Sequence, residues 1–336
     1  MQEATLTIKG SYITTQETAR SQSIAVLIPC YDEEATIADV IRQFRAHLPD
    51  AEIYVFDNNS SDRTVEQASQ AGAKVFHERR QGKGHVVQSM FRKVNADIYV
   101  MVDADGTYPA HDVEALIEPI RQGEADMVIG SRLHKMATSQ FRPLNRLGNL
   151  IFRVLLNVIF GVHLTDLLSG YRVFSRRLVR GLPLFGRGFE TEAEMTIKAI
   201  ERGYTIVELP VNLSDRPAGS HSKIRLVHDG LLILRTILTL FRDYRPLTFF
   251  GGLGLGLIAM GCVPGEWVIA DYIKTGLVPR LPSAVLAVGL VLTGGLFIVV
   301  GLILHTISRR FQELDFQLQT FANDLRANSQ DKSGPV

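Results

Sequence analysis

The sequence predicts an α/β domain built on a mostly parallel sheet, followed by a two-helix apolar hairpin long enough to cross a membrane. Three observations carry this. Short apolar β-branched runs alternate with helical patterns from Ser23 to Ser131, the mark of strands joined by crossover helices. Several of these runs end in a polar or acidic cluster. Two long uncharged stretches lie in the C-terminal third.

The elements follow in order. SIAVLIP (Ser23–Pro29) is the first strand, and a helical pattern covers Thr36–His47. EIYVFD (Glu52–Asp57) is the second strand, with a helix near Arg63–Gln70. KVFHE (Lys74–Glu78), a helix near His85–Lys93 and IYVMVD (Ile98–Asp103) continue the series. A helix near Asp112–Arg121 and the strand MVIGS (Met127–Ser131) complete it. Sheets of this kind bind ligands at the carboxyl ends of their strands.

Twenty uncharged residues separate Arg245 from Glu266, and 24 separate Arg280 from His305. At ~1.5 Å per residue these span about 30 and 36 Å, against a hydrocarbon core of roughly 30 Å. Trp267 and Tyr272 stand where an interfacial belt is expected. Arg235, Arg242 and Arg245 precede the first span and Arg309 and Arg310 follow the second. The positive-inside rule therefore puts the N-terminal domain and both termini in the cytoplasm. Gly252/Gly256 and Gly261/Gly265 have small-xxx-small spacing, which admits a homo-oligomer through the spans. Two amphipathic stretches, Leu144–Phe160 and Lys223–Arg245, suit either a helix on the domain core or one lying in the membrane plane.

Composition narrows the classes. The 336 residues suit one large domain with appendages. Lys+Arg 36 against Asp+Glu 35 gives no basic field, so no nucleic-acid partner is expected. Cys30 and Cys262 are too far apart for metal-type spacing. Residues 1–22 contain no apolar run, so the expectation there is a tail rather than a cleaved signal.

The strand ends carry the chemistry. A dinucleotide fold fails at PCYDEE, which lacks G-x-G-x-x-G and would repel a pyrophosphate. Gly82-Lys83-Gly84 does not fit the P-loop frame. Asp103-Ala104-Asp105 ends an apolar strand, where two carboxylates can turn toward one hard cation. Mg²⁺ or Mn²⁺ held this way completes its shell with water and substrate phosphates.

Five segments then stand in a recognisable order: Ile28–Glu34, Val55–Thr64, Gln81–Gly84, Val102–Gly106 and Gly130–Arg132. The series resembles the family 2 inverting glycosyltransferases of GT-A fold (Rossmann-like, nucleotide-sugar-binding), and within them the dolichol-phosphate mannose synthase-like branch. The likeness runs from about Ser23 to Arg225 and includes Asp166–Arg172 and the Arg216…Ser222-Lys223 loop.

That resemblance implies transfer of a hexose, with inversion, from a UDP- or GDP-sugar to a polyprenyl phosphate such as undecaprenyl or dolichyl phosphate. It implies that Pro29, Tyr31, Glu33, Asp57, Lys83, Asp103, Ala104, Asp105, Arg216 and Lys223 hold the nucleotide sugar, with Asp103 and Asp105 as metal ligands. Asp105 and Arg132 would act in catalysis, and Arg132 and Arg146 would grip the acceptor phosphate, with Arg142 an alternative to Arg146. Asn58 replaces the second acid usual after the second strand, an amide still able to bond a base or ribose; Thr107 stands where lipid-acceptor members often have Gln. Glu190 and Glu192 fall where some relatives place a catalytic acid, and a helix N-terminus explains them equally well. The expected organisation is a tail (1–22), a catalytic domain (23–222), a juxtamembrane helix (223–245), two spans within 246–308 (about 246–268 and 281–307) and a cytoplasmic tail (309–336). The competing readings are transfer to a lipid or glycan hydroxyl, and a catalytically silent membrane scaffold. No Q-x-x-R-W motif of a processive synthase occurs.

Overall fold

The structure, a computed structural model, describes residues 22–132, 143–214 and 226–331, with the backbone alone at 143–147, 149, 226–227, 315–316 and 319–331. In chain order the elements are β1 (Ile24–Cys30), α1 (Ile37–His47), β2 (Glu52–Asp57), α2 (Thr64–Gln70), β3 (Lys74–His77), α3 (Lys83–Lys93) and β4 (Ile98–Met101). A 3₁₀ turn at Ala110–Asp112 leads into α4 (Val113–Arg121), β5 (Met127–Ser131), α5 (Pro143–Phe160), β6 (Arg172–Ser175) and α6 (Arg176–Gly181). Then come α7 (Thr191–Glu201), β7 (Ile206–Pro210), α8 (Leu226–Tyr244), α9 (Pro246–Thr275) and α10 (Leu281–Asp331).

The seven strands form one sheet in the order β3-β2-β1-β4-β6-β5-β7. It is parallel except for β6, which runs antiparallel to β4 and β5. β4 and β5 are buried along their whole length. Being covered on both faces, they read in sequence as unbroken apolar runs. Successive side chains still alternate between faces. Val26, Ile28 and Val100 pack with Ile41 and Phe44 of α1 and Ile117 of α4. Leu27, Tyr99 and Met101 pack on the other face with Met90 of α3, Leu178 of α6 and Met195 of α7.

A third apolar cluster joins α5 (Leu156, Phe160), α7 (Ala193, Ile197) and α8 (Ile233, Ile237, Leu240). The two amphipathic stretches thus cover the domain with one side. Their other side keeps Ile151, Val154 and Val158 of α5 and Leu231 and Leu238 of α8 exposed.

α9 and α10 pack on each other. A Cβ built on Gly254 or Gly294 would stand 2.5 Å from the other's carbonyl oxygen, so only glycine permits this approach. Gly261 and Gly265 face Ala287 of α10, whereas Gly252 and Gly256 meet nothing within 4 Å. Only 17% of the apolar window of each helix is buried. A soluble core helix would show the reverse. Both are long and apolar enough to cross a bilayer, and α10 continues as helix through the segment expected as a tail.

Candidate active site

Strand register builds the site. Leu27 pairs with Met101, so the turn after β1 and Asp103-Ala104-Asp105 leave the sheet side by side. Cys30 pairs with Asp57, which brings the β2 exit to the other flank. The result is a cleft of about 620 Å³ at the carboxyl edge. Pro29, Tyr31, Glu33, Lys83, Asp103, Ala104 and Asp105 all line it, as the motif series anticipated.

Lys83 is the electrostatic hub. Its Nζ lies 2.7 Å from Asp103 Oδ1 and 2.7 Å from Glu192 Oε1, with the ammonium 5.7 Å from the centre of the Phe189 ring. Burial works against its charge, but Asp103 and Glu192 outweigh it and hold its pKa above the ordinary lysine value. Lys83 is therefore an ammonium at any physiological pH. Gly82, at φ +126, starts α3 in a backbone region that side chains avoid, and this turns Lys83 into the cleft.

Asp105 is nearly buried, and Thr107 donates to its Oδ1 from both backbone N (3.1 Å) and Oγ1 (2.7 Å). Thr107 thus fixes the carboxylate's orientation. The pair fits a divalent cation as two hard oxygen donors in one cleft: Lys83 occupies Oδ1 of Asp103 at 2.7 Å, which leaves Oδ2 for a metal. Among the described residues no group of three or more His, Cys, Asp or Glu forms a closed ligand cage. Diphosphate oxygens and water would complete the shell, as Mg²⁺ and Mn²⁺ prefer.

Asp103 also explains a glycine. The antiparallel register pairs Met101 with Arg172, which sets Gly170 opposite Asp103. A Cβ on Gly170 would stand 2.5 Å from Asp103 Cγ. Gly170→Ala should displace this carboxylate at a strain cost of about 1–3 kcal/mol. A folded Gly170→Ala protein is expected to lose at least about tenfold in nucleotide-sugar affinity, roughly 1.4 kcal/mol, by calorimetric titration. Unchanged affinity would show that Asp103 does not touch the donor.

Asp57, expected as a ligand, and its neighbour Asn58 both make contacts within the domain. Asp57 is buried beside the cleft but does not line it; His77 Nδ1 at 2.9 Å and Ser60 N at 3.2 Å contact its carboxylate. Asn58 does line it, yet both amide hydrogens go to backbone oxygens of Glu78 and Arg80 (2.9 Å each), and its Oδ1 accepts from Gly82 N at 2.7 Å. The Asn58 amide thus ties down the loop that presents Lys83.

Arg132 leaves β5 on the far side of Asp103. Asp166, fully buried, takes its Nε at 2.6 Å and Nη2 at 2.7 Å. Burial opposes ionisation of Asp166, yet the guanidinium holds it below the usual carboxylate range. Among the described residues Nη1 has no hydrogen-bond partner. Arg146 stands near the start of α5 with its backbone alone described, and Arg142, Arg216, Ser222 and Lys223 lie outside the described residues.

Glu190 lines the cleft; its Oε1 accepts from Arg187 N (2.8 Å) and Gly188 N (3.0 Å). Glu192 is turned inward to Lys83. Sequence reasoning missed the wall formed by Arg187, Gly188 and Phe189, Val86 of α3, and His228, Asp229 and Leu232 of α8. An amphipathic pattern marks the helix but not which end of it meets the sheet edge.

Comparison with known proteins places this geometry. Residues 25–182 match the family model described as glycosyl transferase family 2. The glycosyltransferase AglJ of Haloferax volcanii is 34% identical over 253 residues, covering 74% of this chain and 83% of that protein. A dolichyl-phosphate hexose transferase of the same organism is 32% identical, covering 57% and 83% respectively. Among solved structures, Mycobacterium tuberculosis glucosyl-3-phosphoglycerate synthase, in complex with Mn²⁺, UDP-glucose and phosphoglyceric acid, superposes with a TM-score of 0.55. It is 25% identical and covers 66% of this chain and 80% of its own.

Proposed function

The chain belongs to glycosyl transferase family 2, and from that premise we propose that it moves a hexose from a UDP- or GDP-sugar to a polyprenyl phosphate, undecaprenyl or dolichyl, with inversion at the anomeric carbon. One observation carries the lipid acceptor. α8, which forms a wall of the donor cleft through His228, Asp229 and Leu232, runs almost directly into the first apolar helix. The wall residues lie 14–18 residues before Pro246, about 21–27 Å along the helix. The helix keeps Leu231 and Leu238 exposed beside Ile151, Val154 and Val158 of α5. Laid along the bilayer surface on these apolar side chains, α8 brings the donor cleft within reach of a lipid headgroup.

In this reading Pro29, Tyr31 and Glu33 hold the nucleoside end and Asp103 and Asp105 hold the metal at the diphosphate. A bound Mg²⁺ or Mn²⁺ supplies Lewis-acid stabilisation of the leaving nucleotide. Lys83 adds fixed positive charge beside it. Arg132, oriented by Asp166, offers a guanidinium to the acceptor phosphate, a geometry suited to bidentate binding. Arg146, Arg216 and Lys223 complete the two phosphate sites. A second reading, transfer to a hydroxyl, draws on Glu190, a cleft carboxylate whose buried Oε2 has no partner among the described residues.

The test is a panel of radiolabelled nucleotide sugars offered with polyprenyl phosphate, the free polyprenol or diacylglycerol. Label should enter lipid with the phosphate alone. Equal or better labelling of an alcohol overturns the acceptor assignment.

In this reading, with two spans and basic residues flanking them on one side, the catalytic domain and both termini lie on the cytoplasmic side by the positive-inside rule. A reporter fused after Val336 should be cytoplasmic, and a tag between Asp271 and Arg280 should lie on the opposite face. Release of the protein by a salt wash without detergent contradicts both spans.

A further inference from the structure

α10 is 51 residues long. At ~1.5 Å per residue it extends about 76 Å, more than twice a bilayer core of roughly 30 Å. The part from Arg309 to Asp331 alone is about 34 Å. Beyond the span, the helix exposes Phe311, Leu314 and Leu318 at 67%, 49% and 59%. No described part of the chain covers them.

Their spacing is regular. Leu304, Ile307, Phe311, Leu314, Leu318, Phe321 and Leu325 recur at alternating intervals of four and three residues. The five from Phe311 to Leu325 lie beyond the span and make two heptads of the a/d pattern of a coiled coil, in register with Leu304 and Ile307 at the end of the span. Apart from Phe316 and Ala322, the positions between them from Ser308 onward are polar or charged. An amphipathic helix resting on a membrane would instead need a broader stripe with basic flanks. Here Asp315 and Asp324 fall beside the seam.

The register also names the partner. With Phe311 at a, Arg310 falls at g and Asp315 at the following e, five residues on. In a parallel, in-register coiled coil those two positions face each other across neighbouring chains. Copies inserted in one membrane with the same topology necessarily run parallel. A second copy therefore satisfies pattern, charge and direction together.

We propose that the post-membrane part of α10 is a self-association element, pairing with the same segment of another copy of this chain in a parallel coiled coil. Two heptads alone are too few for a stable pair, but anchoring both helices in one bilayer raises their effective concentration. The parallel direction rests on the two-span reading above; the test below reads contacts, not activity.

Full-length protein carrying Cys262→Ser, which removes the exposed native thiol and leaves buried Cys30, would be reconstituted in lipid nanodiscs and oxidised with copper-phenanthroline. Leu314→Cys, on the seam, should yield at least about fivefold more disulfide-linked dimer than Gln312→Cys on the outer face. Arg310→Asp should lower the cross-linked fraction and the double variant Arg310→Asp/Asp315→Arg should restore it. Equal cross-linking at both positions, or no dimer at either, overturns the proposal. So does a dimer that survives Phe311→Asn/Leu314→Asn/Leu318→Asn unchanged, since the contact would then lie elsewhere.

Discussion

Asp105→Ala is expected to lower sugar transfer by about 10²–10³-fold or more, the range typical of removing one preorganised electrostatic contact to the developing charge. The leaving nucleotide diphosphate gains negative charge as the glycosidic bond breaks, and Asp105 is one of the two carboxylates proposed to hold a cation against it. Its environment makes the variant interpretable. Thr107 holds one oxygen through two donors, and the residue packs beneath the cleft rather than in the apolar core. Truncation should therefore cost stability about 1–3 kcal/mol, the scale of two hydrogen bonds. Asp105→Asn tests the charge itself, because the amide oxygen can still accept from Thr107 while the charge is gone. Both variants should melt within a few degrees of the parent and both should fail in transfer. Excess chelator should reproduce the loss in the parent protein. Full activity of Asp105→Ala, or in chelator, would overturn the donor-site assignment.

The second large effect separates the acceptor from the donor. A phosphate monoester has a second pKa near ~6, so at neutral pH it attacks without a base. A hydroxyl must lose its proton to a base as it attacks. The account therefore expects arginine, not glutamate, to matter most at the acceptor. Arg132→Ala is a blunt test: it leaves Asp166 buried without its counter-charge, at a cost of about 3–5 kcal/mol. Arg132→Lys is sharper, since it keeps the charge beside Asp166 and removes the planar fork. Its transfer to lipid phosphate should fall about a hundredfold with donor affinity changed less than about threefold. Glu190→Gln and Glu192→Gln should each keep turnover within about tenfold at pH 7.5, because neither carboxylate is needed as a base and the amide at 192 can still accept from Lys83. A folded, donor-bound Glu190→Gln that is inactive, beside a nearly normal Arg132→Lys, would point to a hydroxyl acceptor.

Much of the fold was legible because β1, β4 and β5 are covered on both faces, so that burial appears as uninterrupted apolar runs. The site was legible for a related reason: parallel strands end at one edge, and the polar clusters after β1, β3 and β4 converge there. Other parts depend on pairing that no local pattern encodes. β6 has four residues and carries Arg172, a fully buried guanidinium. Its charge is tolerated because Leu167 O, Ser169 O and Thr196 Oγ1 accept from it at 2.6–2.9 Å. From sequence alone an arginine at that position argues against a central strand. Asn58 carries the same lesson at the site. Its residue type suggests ligand recognition, while the fold spends both its amide hydrogens on the neighbouring loop.

The most direct measurement is the identity of the lipid product. Full-length protein in nanodiscs would be supplied with undecaprenyl or dolichyl phosphate and the nucleotide sugar that labels best in the panel, and the product analysed by mass spectrometry, ³¹P NMR and mild acid. The account predicts a polyprenyl phosphodiester bearing one hexose. Its anomeric configuration should be opposite to that of the donor, and mild acid should release free sugar and polyprenyl phosphate. An acid-stable glycoside of a hydroxyl, or a product that retains the donor's anomeric configuration, would contradict it.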